Sequence, residues 1–229
     1  MDISSDASRI TAEGGTFGGQ VINPWDTQAL RAPSDFDLTH QVNANWLVEL
    51  PFGRGRWLAS GAHGVVNGII GGWQLSGLAR WTSGFPVGVG NGAQWPTNWE
   101  LSGFGQQTAP VSTHGAVKNP DGTVSVFGGG DATNTAFNSF SADMPGQTGN
   151  RNSLRGDGFA GLDLGLSKRW NFTERHSLQF RWDVFNALNL TRFDVGSLQL
   201  SLTNQSNFGD YTGLLTNPRV MQFALRYEF

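Results

Sequence analysis

Apolar and polar residues alternate with period two along five separate stretches of the chain, and in each stretch one parity collects nearly all the large apolar side chains. In residues 40–50 the even positions are His40, Val42, Ala44, Trp46, Val48 and Leu50, against Gln41, Asn43, Asn45, Leu47 and Glu49. In residues 73–81 the odd positions are Trp73, Leu75, Gly77, Ala79 and Trp81, interleaved with Gln74, Ser76, Leu78 and Arg80. In residues 160–170, Leu162, Leu164 and Leu166 alternate with Asp163, Gly165, Ser167 and Arg169. Residues 178–184 place Leu178, Phe180, Trp182 and Val184 opposite Gln179, Arg181 and Asp183. Residues 219–229 place Met221, Phe223, Leu225, Tyr227 and Phe229 opposite Gln222, Ala224, Arg226 and Glu228. Successive side chains on a strand point to opposite faces, so this period predicts strands with one apolar and one polar face.

Most of these stretches run about nine to eleven residues, the length a tilted strand needs to cross a bilayer. Soluble β-sandwiches alternate too, but their strands are usually about five or six residues long. Charged residues in mid-strand (Arg80, Asp163, Arg181, Asp183) also suit a watery barrel interior. The fold expected is therefore all-β: a fragment of an antiparallel up-and-down transmembrane β-barrel, with about five C-terminal strands and long extracellular loops.

The connections fit that expectation. A glycine-rich link spans residues 51–72, a very long one about 83–158, a short turn 171–176, and a long loop 187–217. Outer-membrane barrels have short periplasmic turns and long outer loops. Counting back from a periplasmic C-terminus, the strands alternate in direction and every long loop falls outside. Residues 1–38 then read as the remnant of an extracellular loop, and 39–229 as the C-terminal barrel strands.

Composition sharpens the picture. Charged residues are 14% of the chain, against roughly 25% in soluble proteins. Aromatics reach 12%, from nine Trp, sixteen Phe and two Tyr, yet mean hydropathy is −0.29, as interleaving requires. The most apolar stretch, residues 65–78, is broken by Asn67, Gln74, Ser76 and several glycines, so no membrane-spanning helix is expected. The first residues show neither a basic n-region nor an apolar h-region of a secretory signal. A net charge of −3 argues against nucleic-acid binding, and the lack of cysteine excludes disulfides and thiolate-bound metal.

Candidate chemistry is sparse. His40, His63, His114 and His176 lack metal-ligand spacing, and no nucleophile motif such as G-x-S-x-G occurs. No catalytic residue, metal or cofactor is expected. The run Gly128-Gly129-Gly130-Asp131 lacks the Lys-Ser/Thr of a phosphate loop and reads as a flexible loop. In the long loop, Phe85, Trp95, Trp99 and Phe104 lie among Asn91, Gln94, Asn98 and Gln106. Aromatics beside amides can contact sugars or peptides; the alternative is that they pack the loop against itself or join an interfacial girdle. Trp73, Trp81, Trp170 and Trp182 read as aromatic-belt anchors.

The chain end, Met221-Gln222-Phe223-Ala224-Leu225-Arg226-Tyr227-Glu228-Phe229, resembles the C-terminal assembly signal of outer-membrane proteins, with Phe223, Leu225, Tyr227 and Phe229 as its apolar face. Gly71-Gly72-Trp73-Gln74-Leu75-Ser76-Gly77, Arg151-Asn152-Ser153-Leu154-Arg155-Gly156 followed by Asp163-Leu164, and Phe185-Asn186-Ala187-Leu188-Asn189 resemble the last part of the barrel in TonB-dependent receptors of the Oar-like type. The resemblance runs from about residue 35 to the end. It implies a chain that is part of a longer product with a plug and a full barrel, taking up a nutrient or oligomeric ligand. The implied partners are outer-membrane lipid, the barrel assembly machinery, the rest of barrel and plug, the TonB energy-coupling complex through that plug, and an extracellular ligand. A passive porin or adhesin barrel, or a soluble carbohydrate-binding module, are the alternatives.

Overall fold

The computed structural model describes residues 23, 25–94 and 102–229. The five alternating stretches become the strands of one sheet: β1 (Gln41–Glu49), β2 (Trp73–Thr82), β3 (Phe159–Asn171), β4 (Ser177–Phe185) and β5 (Val220–Glu228), in that order across the sheet. β3 pairs antiparallel with β4 and β4 with β5. The Leu50 amide donates to the Trp73 carbonyl and the Ser83 amide to the His40 carbonyl, so β1 and β2 also run antiparallel. The sheet is thus an up-and-down meander with β1 and β5 at its edges.

The register keeps the faces separate. Leu164, Leu166, Lys168 and Trp170 oppose Val184, Trp182, Phe180 and Leu178, which in turn oppose Met221, Phe223, Leu225 and Tyr227. Gly165, Ser167 and Arg169 oppose Asp183, Arg181 and Gln179 on the other face. A one-residue slip anywhere would exchange the two sets, so the pattern fixes the register. Trp46 needs a glycine opposite: a Cβ on Gly77 would lie 2.1 Å from its ring.

The chain divides into two compact units. One holds the sheet strands with their short connections (Gln41–Trp81, Ala160–Thr191, Asn217–Phe229). The other takes Thr82–Phe159, Arg192–Thr216 and the described residues up to His40. This second unit, expected only as long loop, has its own hydrophobic core. Val87, Val89, Val126, Phe127 and Phe208 are almost wholly buried within it. Phe208 stacks on Phe127 at 5.4 Å between ring centroids and meets the edge of Phe137 at 5.2 Å. Short antiparallel pairs, such as Pro86–Val87 with Leu154–Arg155 and Val117–Lys118 with Val124–Ser125, satisfy part of its backbone.

Two expectations change here. The glycine run is a built turn rather than a loose loop. Gly128, Gly129 and Gly130 take φ of +88°, +73° and +53°, and a Cβ on Gly129 would lie 2.0 Å from the Asn119 side chain. They feed helix α2 (Gly130–Asn138), which buries Ala136. The 51–72 link also contains a helix, α1 (Gly64–Ile70), where only a connection was expected. Its apolar residues fall at positions 65, 66, 69 and 70, helical spacing that the neighbouring glycines obscured.

Candidate functional site

The sheet carries the first candidate surface. On its polar face the Arg169 guanidinium donates to the Ser177 hydroxyl at 2.9 Å and to the Glu228 carboxylate, and Arg181 pairs with Asp183 at 2.8 Å. These charges span three neighbouring strands and suit a wet surface. On the apolar face, the Trp182 and Phe223 rings stack at 5.8 Å with an interplanar angle of 5°, and Phe180 approaches Trp73 edge-on at 6.0 Å. The four residues of the C-terminal signal share that face. Phe223 is 66% exposed, Leu225 68% and Tyr227 55%, more open apolar surface than a strand packed on a soluble core would leave. The Tyr227 hydroxyl lies 2.7 Å from His176 Nδ1, and Phe229 stacks beyond Tyr227 at 6.1 Å.

Two of the three resembling motifs turn out to be structural clamps that period counting alone missed. Arg151, buried, pairs with Asp35 at 3.2 Å, and Asn152 donates to the Pro33 carbonyl at 2.9 Å. Leu154 joins the core, and Arg155 binds Asp37 and the Gly84 carbonyl. Asn186, at φ +50°, donates its backbone N–H to Asp163 and its side-chain amide to the carbonyls of Leu190 and Asn217. Asn189, at φ +51°, accepts the Arg219 N–H. Side-chain amides that tolerate left-handed backbone explain why asparagine stands at both places.

The loop unit carries the second candidate, a cavity of about 360 Å³ with ring surface from Phe36, Phe85, Phe159 and Phe193. The Arg192 guanidinium lies 4.9 Å over the Phe159 ring. Its carboxylates are held within the protein: Asp35 by Arg151, and Asp194 by the Gly196 N–H. Burial raises the Asp157 carboxyl, against the opposing pull of the Ala116 and Gly158 amides. The neighbouring Tyr211 hydroxyl, pushed up to about 12 mainly by burial, accepts the Asp157 N–H at 2.7 Å. The cavity therefore offers apolar rings and a guanidinium, within the size range of small-molecule sites.

Of the four loop aromatics, the cavity takes only Phe85 among the described residues. Phe104 packs over Gly88, where a Cβ would lie 2.7 Å from its ring, so it fills the loop interior. Trp95 and Trp99 lie outside the described residues.

A sheet with one open apolar face, one charged face and edge strands left without a neighbouring strand among the described residues fits the wall of a membrane barrel. The family model for an outer membrane beta barrel domain matches residues 2–222. The chain belongs to that family. No curated protein and no solved structure matches it. The five strands are therefore barrel strands of the Gram-negative outer membrane. Barrels cross with strands, and among the described residues no helix is long and apolar enough to cross.

Proposed function

We propose that this chain is part of a TonB-dependent outer-membrane receptor that takes up a nutrient or oligomeric ligand. It supplies barrel wall, extracellular loops and the C-terminal assembly signal of Phe223, Leu225, Tyr227 and Phe229. In this reading the polar face of the sheet lines the lumen and the C-terminus lies on the periplasmic side. The observation that carries it is the loop unit, which has its own core and holds a ring-lined cavity. Binding residues sit disproportionately on loops held by a rigid scaffold, and the core of this unit supplies one. Two of the resembling segments support it as well: residues 151–156 clamp this unit and residues 185–189 close the turn after β4.

The remaining wall, the plug, the TonB complex reached through that plug, the assembly machinery and an extracellular ligand are its partners. Its work is binding and passage, without covalent chemistry. The test is electrical. The gene product, purified from outer membranes and inserted in planar bilayers, should show no stable conductance, because a plug fills the lumen. A persistent open conductance would overturn the receptor reading in favour of a porin.

A further inference from the structure

Helix α1 sits in the connection between β1 and β2, and three side chains from the apolar face of the sheet hold its C-terminal end. The Trp170 indole N–H donates to the Gly68 carbonyl at 2.7 Å, and the Trp73 indole N–H to the Ile69 carbonyl at 2.9 Å. The Lys168 ammonium donates to Ile69 at 3.0 Å and also to the Gly71 carbonyl. Carbonyls in the last turn of a helix have no partner within it, so these donors complete what the helix lacks. Lys168 itself is 3% exposed, with its ammonium 5.3 and 5.2 Å from the Trp73 and Trp170 ring centroids. A cation on the apolar face of a barrel strand is otherwise unfavourable, and α1 resolves that conflict.

The other side of α1 is open. Val65, Val66 and Ile69 are 78%, 57% and 62% exposed, and at about 100° per residue they and Ile70 span an arc of roughly 140°. Asn67 points away from that arc and accepts the Arg54 N–H at 2.6 Å. Trp57, in the same connection, is 85% exposed. Trp73 and Trp170, whose indoles hold the helix end, themselves belong to the apolar face of the wall beside Phe180 and Leu178. Lys168 lies three residues from the end of β3, about 10 Å along the strand, which is interfacial depth rather than bilayer centre.

We propose that α1 is an interfacial anchor: it lies along the outside of the barrel at the headgroup boundary of the periplasmic leaflet. Val65, Val66 and Ile69 enter the acyl chains, and Lys168, Trp73 and Trp170 latch the helix to the wall. The occupant of the arc is phospholipid. The inference rests on the reading of the sheet as lipid-facing wall with a periplasmic C-terminus.

The chain contains no cysteine, so single cysteines can report position. In the full gene product in phospholipid vesicles, an environment-sensitive fluorophore is placed at Val66, Ile69, Gly61 or Leu225. Quenching is then measured with spin-labelled lipids and with a water-soluble quencher. Val66 and Ile69 should be quenched by lipids labelled near the headgroup, as should Leu225, which shares the register of Lys168 through Phe180, and the exposed Gly61 by the aqueous quencher. With Lys168→Met, the Val66 probe should move toward water while Leu225 stays in lipid. Val66 and Ile69 behaving like Gly61 would overturn the anchor, and protection from both quenchers would mean that protein covers the arc. A Val66 probe indifferent to Lys168→Met would overturn the latch. Leu225 reporting water would instead overturn the wall reading beneath it.

Discussion

Leu164→Arg sets lipid against lumen most sharply. Leu164 lies one residue from the centre of the 13-residue β3 and opposes Val184 on the apolar face. A cationic side chain on the lipid face costs about 2–4 kcal/mol near the bilayer midplane. At about 1.4 kcal/mol per decade, that is a shift of roughly 30- to 700-fold in the folding equilibrium. Ser167→Arg introduces the same charge three residues on, but on the polar face, opposite Arg181. Its cost is a like-charge pair in water, about 0.2–1 kcal/mol. The assay is urea unfolding of the gene product from vesicles, with the denaturant slope unchanged so that midpoints report stability. The Leu164 variant should unfold at clearly lower urea than the Ser167 variant. Equal midpoints, or the reverse order, would refute the assignment of faces.

Phe208→Ala removes the ring at the centre of the aromatic cluster and should destabilise the loop unit by about 3–5 kcal/mol; limited proteolysis should then cut within residues 82–159 while β3–β5 stay protected. Arg151→Ala leaves the Asp35 charge buried without its cation and should cost about 3–5 kcal/mol by the same assay, with Arg151→Lys giving partial rescue. Burial raises the carboxyls of Asp143 and Asp157, and burial together with the Asp121 charge raises Asp210. A raised folded-state value means that the folded unit holds these protons more tightly. Their stabilising contribution is full below the ordinary carboxylate value near 4 and is lost as pH rises through the raised values. Asp143→Asn should therefore flatten the pH dependence of protease resistance, which would otherwise improve on acidification; an unchanged profile would contradict this. Deleting Phe229, or Phe229→Asp, should reduce heat-modifiable barrel in outer-membrane fractions. Glu228→Gln weakens only partly exposed pairs with Arg169 and Arg226, worth about 1 kcal/mol or less, and should assemble normally.

The sheet was legible because period two is a property of the strand itself. Each of the five stretches appears within a residue or two of its expected bounds, and the apolar parity of every one falls on a single face. The loop unit was not legible, because its core draws on residues far apart in sequence. Val87 pairs with Leu154, and Phe127 stacks on Phe208, and no local period connects them. The cavity is missed for the same reason: Phe36, Phe85, Phe159 and Phe193 come from four separate segments. Phe85 was within reach as a loop aromatic, whereas Phe104 looked equivalent until Gly88 was seen to receive its ring. Helix α1 was hidden by the glycines on either side of Val65, Val66, Ile69 and Ile70.

The central claim is that the sheet is a barrel wall with lipid on one face and water on the other. Single cysteines placed in turn along β5, in the full gene product in vesicles, test it most directly through their reaction with a water-soluble maleimide. The account predicts alternation: protection at Met221, Phe223, Leu225 and Tyr227, and reaction at Gln222, Ala224 and Arg226. Uniform reaction along the strand, or alternation with the opposite phase, would contradict it.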